Sequence, residues 1–223
     1  MEENHNTILK QAVRAVLKPE GLLQRGSSRT WIDDNGWFFT VVEFQADWCS
    51  KGSCLNIGPW YLWNRGAALN PGNGVFPGDR EPGWASYKGD GAAFAQEIDA
   101  MARRALKHVM EYRALSSPRA FLEATAQLPR RFIPWDWWNQ FMTAALEGDI
   151  PLCQKTYEEF LLGAQKFASS MTNEIQAEME RLMPLSNSPG NLHGYIVEQI
   201  SAQRAFWRSK PGLKRLAVHP EFC

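Results

Sequence analysis

The sequence predicts an α+β fold, with an N-terminal helix and a three-stranded antiparallel meander followed by a mainly helical C-terminal half. Three observations support this class. Apolar residues near the N-terminus recur at three- and four-residue steps, which is the period of an amphipathic helix. β-Branched and aromatic residues then flank an Asn-Gly pair, a strong hairpin turn signal. From Ala92 onward the helical period returns.

The first helix and the strands of the meander occupy the N-terminal part of the chain. A helix is expected over 6–18, with Asn6 or Thr7 as its N-cap. The turn at 33–36, which contains the Asn-Gly pair, connects the first two strands. The meander is expected to have strands over 28–33, 37–48 and 53–63.

Residues 64–91 are rich in glycine and proline. A loop of this length is uncommon in a compact domain and is usually functional or mobile. Alternatively, the segment contains a short irregular strand near Val75 or Trp84. The chain then divides into an α/β-meander module over 1–91 and a helical region over 92–223 that packs on it, or forms one continuous domain.

The C-terminal part is predicted to be a series of helices. Ser117 and Pro118 suit the N-cap and the first helical position of the second one. The apolar period after residue 150 continues to Met183, which predicts one long helix or two helices broken near Gly163. The other helices are expected over 93–114, 117–128, 134–146 and 192–208, with a loop over 186–190.

Charge and hydropathy exclude several classes of protein. The chain carries 24 basic and 24 acidic residues, and this balance argues against non-specific nucleic-acid binding as the main task. No apolar stretch is long enough to span a membrane. Residues 1–6 are acidic and polar, unlike a signal peptide, so we expect a cytoplasmic location with reduced cysteines. The oligomeric state is left open.

Residues 8 to about 60 resemble a bacterial family of uncharacterised proteins known as domain of unknown function 4304. The shared features are an amphipathic helix, a glycine-led basic segment over 21–26, a strand ending in Phe44-Gln45, and a strand with Asn56-Ile57-Gly58. The chain differs in having Leu22 where an aromatic residue is common. The resemblance implies an α+β module and suggests a role in bacterial conflict or toxin immunity, without an established activity.

No motif in the sequence predicts a catalytic residue, a cofactor or a metal. The four histidines are far apart, and there is no nucleophile elbow. Cys49 and Cys54 lie close together, but a structural zinc site usually needs a second close pair of ligands. The segment 88–93 lacks the spacing of a phosphate-binding loop, and helix capping by Asp90 explains it better.

Alternation along the predicted strand 39–48 defines a polar strip. Glu43, Gln45 and Asp47 share one face, and these are candidate binding residues. The opposite face is expected to lie in the core and contains Val42, Phe44, Ala46 and Trp48. Either the polar strip faces solvent or a ligand, or one of its acids works with a distant histidine in a hydrolase.

Tryptophans and segregated charges supply the remaining candidates. On a helix, Trp135 and Trp138 share one face whereas Trp137 points elsewhere, so the three either wedge into the core or form part of a contact surface. Trp84, in the Gly/Pro-rich segment, is a further candidate. Residues 101–131 have a net charge of +5 and residues 133–190 a net charge of −5. These segments either face each other or steer a charged partner.

The segment 199–220 contains no acidic residue. Arg204, Trp207 and Arg208 in this segment are candidate contact residues, and nucleic-acid binding through 204–215 is an alternative function. The favoured interpretation is a non-catalytic module that binds another protein, with an immunity-type inhibitor as its sharpest form. The further alternative is the hydrolase that uses a strand carboxylate.

Overall fold

A computed structural model describes residues 4–46, 50–64, 69, 83–128, 133–166 and 169–222. These residues form seven α-helices and one antiparallel sheet of five strands in the order β1-β2-β3-β4-β5. The α+β class is therefore confirmed. The sheet has two more strands than the predicted meander.

The three predicted strands form the centre of the sheet, and a two-residue strand is added at each edge. A strand of two residues is too short to show an alternating pattern in the sequence. The last strand follows Trp84, so the alternative of a short strand there is confirmed; Val75 lies outside the described residues. The strands are β1 Leu23–Gln24, β2 Thr30–Asp34, β3 Phe38–Ala46, β4 Gly52–Tyr61 and β5 Ala85–Ser86.

The helices agree with the predicted series, and the break near Gly163 is confirmed. The predicted loop over 186–190 is wrong, because Met183–Asn187 forms a short 3-10 helix and the last helix begins at Pro189. Proline fits the first turn of a helix, where its missing N–H is not needed. The helices are α1 His5–Leu17, α2 Gly91–Arg113, α3 Pro118–Ala126, α4 Pro134–Glu147, α5 Ile150–Ala164, α6 Ser170–Leu182 and α7 Pro189–Arg208.

Side chains cap most of these helices. Asp90 Oδ1 accepts hydrogen bonds from the backbone of Ala92 and Ala93 at 2.9 and 3.0 Å, so the capping interpretation of that segment is confirmed. Ser117 caps α3 as predicted. The N-cap of α1 is Asn4 rather than Asn6 or Thr7, because the helix begins one residue earlier than expected.

Helices cover both faces of the sheet. On one face the ring of Phe38 contacts Tyr112 of α2 and Phe121 of α3, with centroids 6.2 and 5.7 Å apart. On the other face Asp34 of β2 binds Arg204 of α7. The prediction of a single core face is therefore incomplete, since Phe39 and Val41, on the face that carries Glu43, are fully buried. One hydrophobic core includes residues on both sides of position 91.

None of the helices in the described part of the chain is both long and apolar enough to cross a membrane.

Candidate functional site

A cleft of about 490 Å³ opens between the end of β4 and helices α4, α6 and α7. We call it the aromatic cleft. Its volume falls within the range of roughly 300–1,000 Å³ that is typical of ligand sites. Its lining combines aromatic rings with carboxylates and amides: Trp60, Trp63, Asn64, Trp135, Trp138, Met142, Glu174, Ile175, Glu178, Tyr195 and Gln199.

The helical period of α4 directs two of its three tryptophans to the cleft. Trp135, Trp138 and Met142 are three and four residues apart, and all three line it. Trp137 points away from the cleft and packs edge-to-face on Phe160 of α5, with ring centroids 5.9 Å apart. The predicted separation of Trp137 from its two neighbours is therefore confirmed.

Hydrogen bonds fix two of the indole rings at the base of the cleft. Trp138 Nε1 donates to Asn64 Oδ1 at 3.3 Å, and Trp63 Nε1 donates to Asn139 Oδ1 at 3.1 Å. Trp60 is different: it is 6% exposed, and its buried Nε1 has no hydrogen-bond partner in the described part of the protein. An unsatisfied buried donor costs about 1–3 kcal/mol, so this group lowers the stability of the fold.

One wall of the cleft holds a fixed guanidinium. Arg181 donates to both carboxylate oxygens of Glu178, at 2.9 and 2.7 Å, and to Tyr195 Oη at 2.7 Å. Its guanidinium carbon lies 4.9 Å from the centroid of the Tyr195 ring. Hydrogen bonding to Glu178 raises the pKa of Arg181 further above its usual value, so this cation persists at every accessible pH.

Glu174 lies one helical turn before Glu178 and also lines the cleft. Its side chain is exposed. Among the described residues, it forms no hydrogen bond and no ion pair. The cleft therefore presents a carboxylate with no bound cation beside a group of aromatic rings.

A smaller cavity of about 200 Å³ lies between α3, α4 and α5. It is lined by the buried Asp136 and Asn139 of α4, by Phe121 of α3 and by Lys155 of α5. This volume is below the roughly 300 Å³ at which ligand sites usually begin. The aromatic cleft is therefore the stronger candidate.

The predicted polar strip forms a separate network on the sheet. Asn56 Nδ2 donates to Glu43 Oε2 at 3.1 Å and to Gln45 Oε1 at 2.9 Å. Cys54 Sγ lies 3.5 Å from Gln45 Oε1. An amide that binds the carboxylate of Glu43 positions it but accepts no proton from it. Asp47 and Trp48 lie outside the described residues, and Ala46 is exposed rather than in the core.

Trp84 is far from the cleft. It packs against Gly52 at the start of β4, whereas Trp60 is eight residues further along the same strand. At about 3.3 Å per residue, these two positions are roughly 26 Å apart. Trp84 is 42% exposed and remains a separate surface feature.

The predicted basic surface at the C-terminus is partly inside the protein. Arg204 is 3% exposed and donates to both carboxylate oxygens of Asp34 at 2.7 Å and to the Ala217 carbonyl at 2.8 Å. Trp207 is fully buried, and Arg208 donates to the same carbonyl at 2.5 Å. These contacts hold the last residues of the chain against the β2–β3 turn. Arg204 and Trp207 therefore support the fold and are removed from the accessible surface.

The basic and acidic segments do not simply face each other. Arg119 pairs with Glu147 at 3.1 Å, which connects the two segments. Arg103 instead pairs with Asp99 on its own helix, and Arg113 pairs with Asp33 on the sheet. Glu174, in the acidic segment, remains on the surface. The carboxylate of Glu174 is thus available to an external cation.

The described histidines contact groups other than Glu43. His193 Nδ1 lies 2.8 Å from the Leu146 carbonyl, and His108 Nδ1 lies 3.0 Å from Glu111. His219 lies 3.6 Å from Asp34. Within the described ranges, no three His, Cys, Asp or Glu side chains group in a way that suits a metal ion. Cys54 and Cys153 are buried free thiols.

Sequence reasoning found Trp135 and Trp138 but not the residues opposite them. The missed residues include Trp60, Glu174 and Tyr195, which come from three other elements. One local signal existed, namely the spacing of four between Glu174 and Glu178, which places both on one helical face. The convergence of these elements on Trp135 is a property of the tertiary structure alone.

Comparison with known proteins gave no match to a protein-family model, to a curated protein or to a solved structure.

Proposed function

We propose that the protein is a non-catalytic protein-binding module and that the aromatic cleft is its contact site. The observation that carries this proposal is the composition of the cleft, in which four tryptophans and a tyrosine surround carboxylates and amides. Tryptophan and tyrosine are enriched at the residues that dominate binding energy in protein interfaces. A partner side chain that enters the cleft would further bury the two half-buried rings, those of Trp135 and Tyr195.

Among the described residues, no histidine contacts Glu43, and this favours binding over a hydrolase that uses that carboxylate. Glu43 is held by an amide, and the described histidines interact with other groups. The polar partners in the cleft are carboxylates and amides, with neither histidine nor cysteine among the described lining residues. Nucleic-acid binding through 204–215 has less support, since Arg204 and Trp207 are buried.

The sharpest form of the proposal is an immunity-type inhibitor in the bacterial cytoplasm. The resemblance of residues 8 to about 60 to domain of unknown function 4304 suggests this role and remains part of the proposal. Free thiols at Cys54 and Cys153 agree with a reducing compartment. A toxin gene adjacent to the gene for this chain would add independent support.

The test is affinity capture of partners from the native lysate with three forms of the intact protein. The wild-type protein should retain a stoichiometric partner, and Trp135→Ala should weaken its binding about thirtyfold, the effect of losing an aromatic hot spot of roughly 2 kcal/mol. Trp84→Ala is the control, because it removes an exposed tryptophan outside the cleft. Affinities of the captured partner are then measured by calorimetry.

Capture of no stoichiometric partner would contradict the binding function. A partner bound equally well by Trp135→Ala would contradict the assignment of the cleft. Circular dichroism of each variant checks that the fold is retained, which we expect because Trp135 is only half-buried.

A further inference from the structure

The charge of the aromatic cleft indicates the chemistry of its ligand. Glu174 is exposed at the cleft, and within the described structure it has no cation bound to it. The surrounding segment 133–190 has eight acidic and three basic residues. Such a field attracts cations and repels anions over distances of about a Debye length.

The aromatic rings of the cleft suit a cation of a particular kind. A guanidinium stacks on an aromatic face and is attracted by its quadrupole, most strongly by tryptophan. The cleft offers the half-buried ring of Trp135 for such a contact, whereas Trp138 is 7% exposed and lies at the base of the cleft. A neutral ligand would gain from the rings but would leave Glu174 without a counter-ion.

The protein already contains one example of this recognition at the edge of the cleft. Arg181 combines a carboxylate, Glu178, with an aromatic face, Tyr195, at 4.9 Å. Because Glu178 is occupied in this way, Glu174 is the carboxylate that remains available to an incoming group. Glu174 and the Trp135 ring provide the same two components, a carboxylate and an aromatic face. No arginine is among the described residues that line the cleft.

We infer that the aromatic cleft binds an arginine side chain of the partner protein, with Glu174 as its counter-ion and the ring of Trp135 as the aromatic face on which it stacks. This inference rests on the proposed function, since it specifies the chemistry that the partner presents. Arginine is preferred to lysine because its planar group both stacks on a ring and forms a paired contact with a carboxylate.

The test measures peptide binding to the intact protein by tryptophan fluorescence and calorimetry. The probe is acetyl-Gly-Arg-Gly-amide, and its matched control replaces arginine with citrulline, an uncharged isostere. The arginine peptide should bind at least about tenfold more tightly, as expected for one charge-assisted contact. The difference should shrink as the salt concentration rises. Acetyl-Gly-Lys-Gly-amide should bind with intermediate affinity.

Two charge-neutralising variants assign the counter-ion. Glu174→Gln should weaken binding of the arginine peptide about two- to fivefold and leave the citrulline peptide unchanged. Glu158→Gln is the matched control, because Glu158 is exposed on α5 and does not line the cleft. It should leave both affinities unchanged.

Three results would overturn the inference. They are equal binding of the arginine and citrulline peptides, an unchanged affinity in Glu174→Gln, and no binding of the arginine peptide up to about 10 mM, ten times the concentration that half-fills a 1 mM site. If any of these occurs while Trp135→Ala still loses the captured partner, the arginine specificity fails and the binding function stands. If Trp135→Ala keeps the partner, the proposed function fails.

Discussion

The two sides of helix α4 use the same residue type in opposite ways. On the cleft side, Trp135 is half-buried and lies beside an exposed carboxylate, Glu174. On the opposite side, Trp137 is 4% exposed and packs edge-to-face against Phe160. Gly163 of α5 lies directly under the Trp137 ring, where a side chain would have no room.

The difference shows that the partners of a tryptophan, rather than its identity, decide what it contributes. Trp137 contacts fixed neighbours, so its packing energy stabilises the fold. Trp135 shares the cleft with Glu174, whose exposed carboxylate lacks a partner among the described residues. Substitutions on the Trp137 side of α4 should therefore reduce stability, whereas substitutions on its cleft side should reduce binding.

The strongest test of this contrast removes one tryptophan from each side. Trp137→Ala should lower the free energy of unfolding by about 3–5 kcal/mol, because it opens a large cavity in the core. Trp135→Ala should lower it by clearly less, about 1–2 kcal/mol, because the ring is only half-buried. Urea denaturation followed by circular dichroism measures both values. Equal losses in the two variants would contradict the contrast.

A smaller effect is expected from adding a methyl group under Trp137. A Cβ atom at Gly163 would lie 2.5 Å from Cη2 of Trp137, so Gly163→Ala should destabilise the protein by about 1–3 kcal/mol through overpacking. Gly194→Ala in α7 is the control, because a Cβ atom there meets no atom within 4 Å. The control should stabilise the protein by up to about 1 kcal/mol. A stabilised Gly163→Ala variant would mean that the Trp137 ring packs elsewhere.

Local sequence signals predicted the helices and the orientation of the tryptophans in α4. Residues three positions apart share a helical face whatever the rest of the fold does, so the grouping of Trp135 with Trp138 was accessible. The caps at Asp90 and Ser117 are also local, since each side chain binds backbone within three residues. These features depend on neighbours in the sequence.

Contacts between residues that are distant in the chain could not be predicted from local sequence patterns. Arg204 was expected on a basic surface, yet it binds Asp34, which is 170 positions away, and both side chains are largely buried. A sequence shows the charge of an arginine but not the carboxylate that it will meet. Burying such a charge is tolerated because its partners satisfy it.

The cleft was missed for the same reason. Its walls come from the end of β4 and from three helices, and the lining residues extend from Trp60 to Gln199 along the chain. Each element shows only its own polar or aromatic face. Which faces meet depends on how the helices pack over the sheet, and that packing is decided by the shared core.

The sealed side of α4 also predicts a dependence of stability on pH. Burial raises the pKa of the Cys153 thiol from 9.0 to about 12, with the charge of Asp149 adding to the effect. Above pH 9 the unfolded chain loses this proton while the folded protein keeps it, so stability falls as the pH rises. The loss should approach about 1.4 kcal/mol per pH unit between pH 9 and pH 12.

Other groups titrate in this range, so the measured quantity is the difference in slope between the wild-type protein and Cys153→Ala. The slopes are obtained from urea denaturation at pH 8, 9 and 10. Identical slopes would show that water reaches the thiol. The Trp137 side of α4 would then be as accessible to solvent as its cleft side.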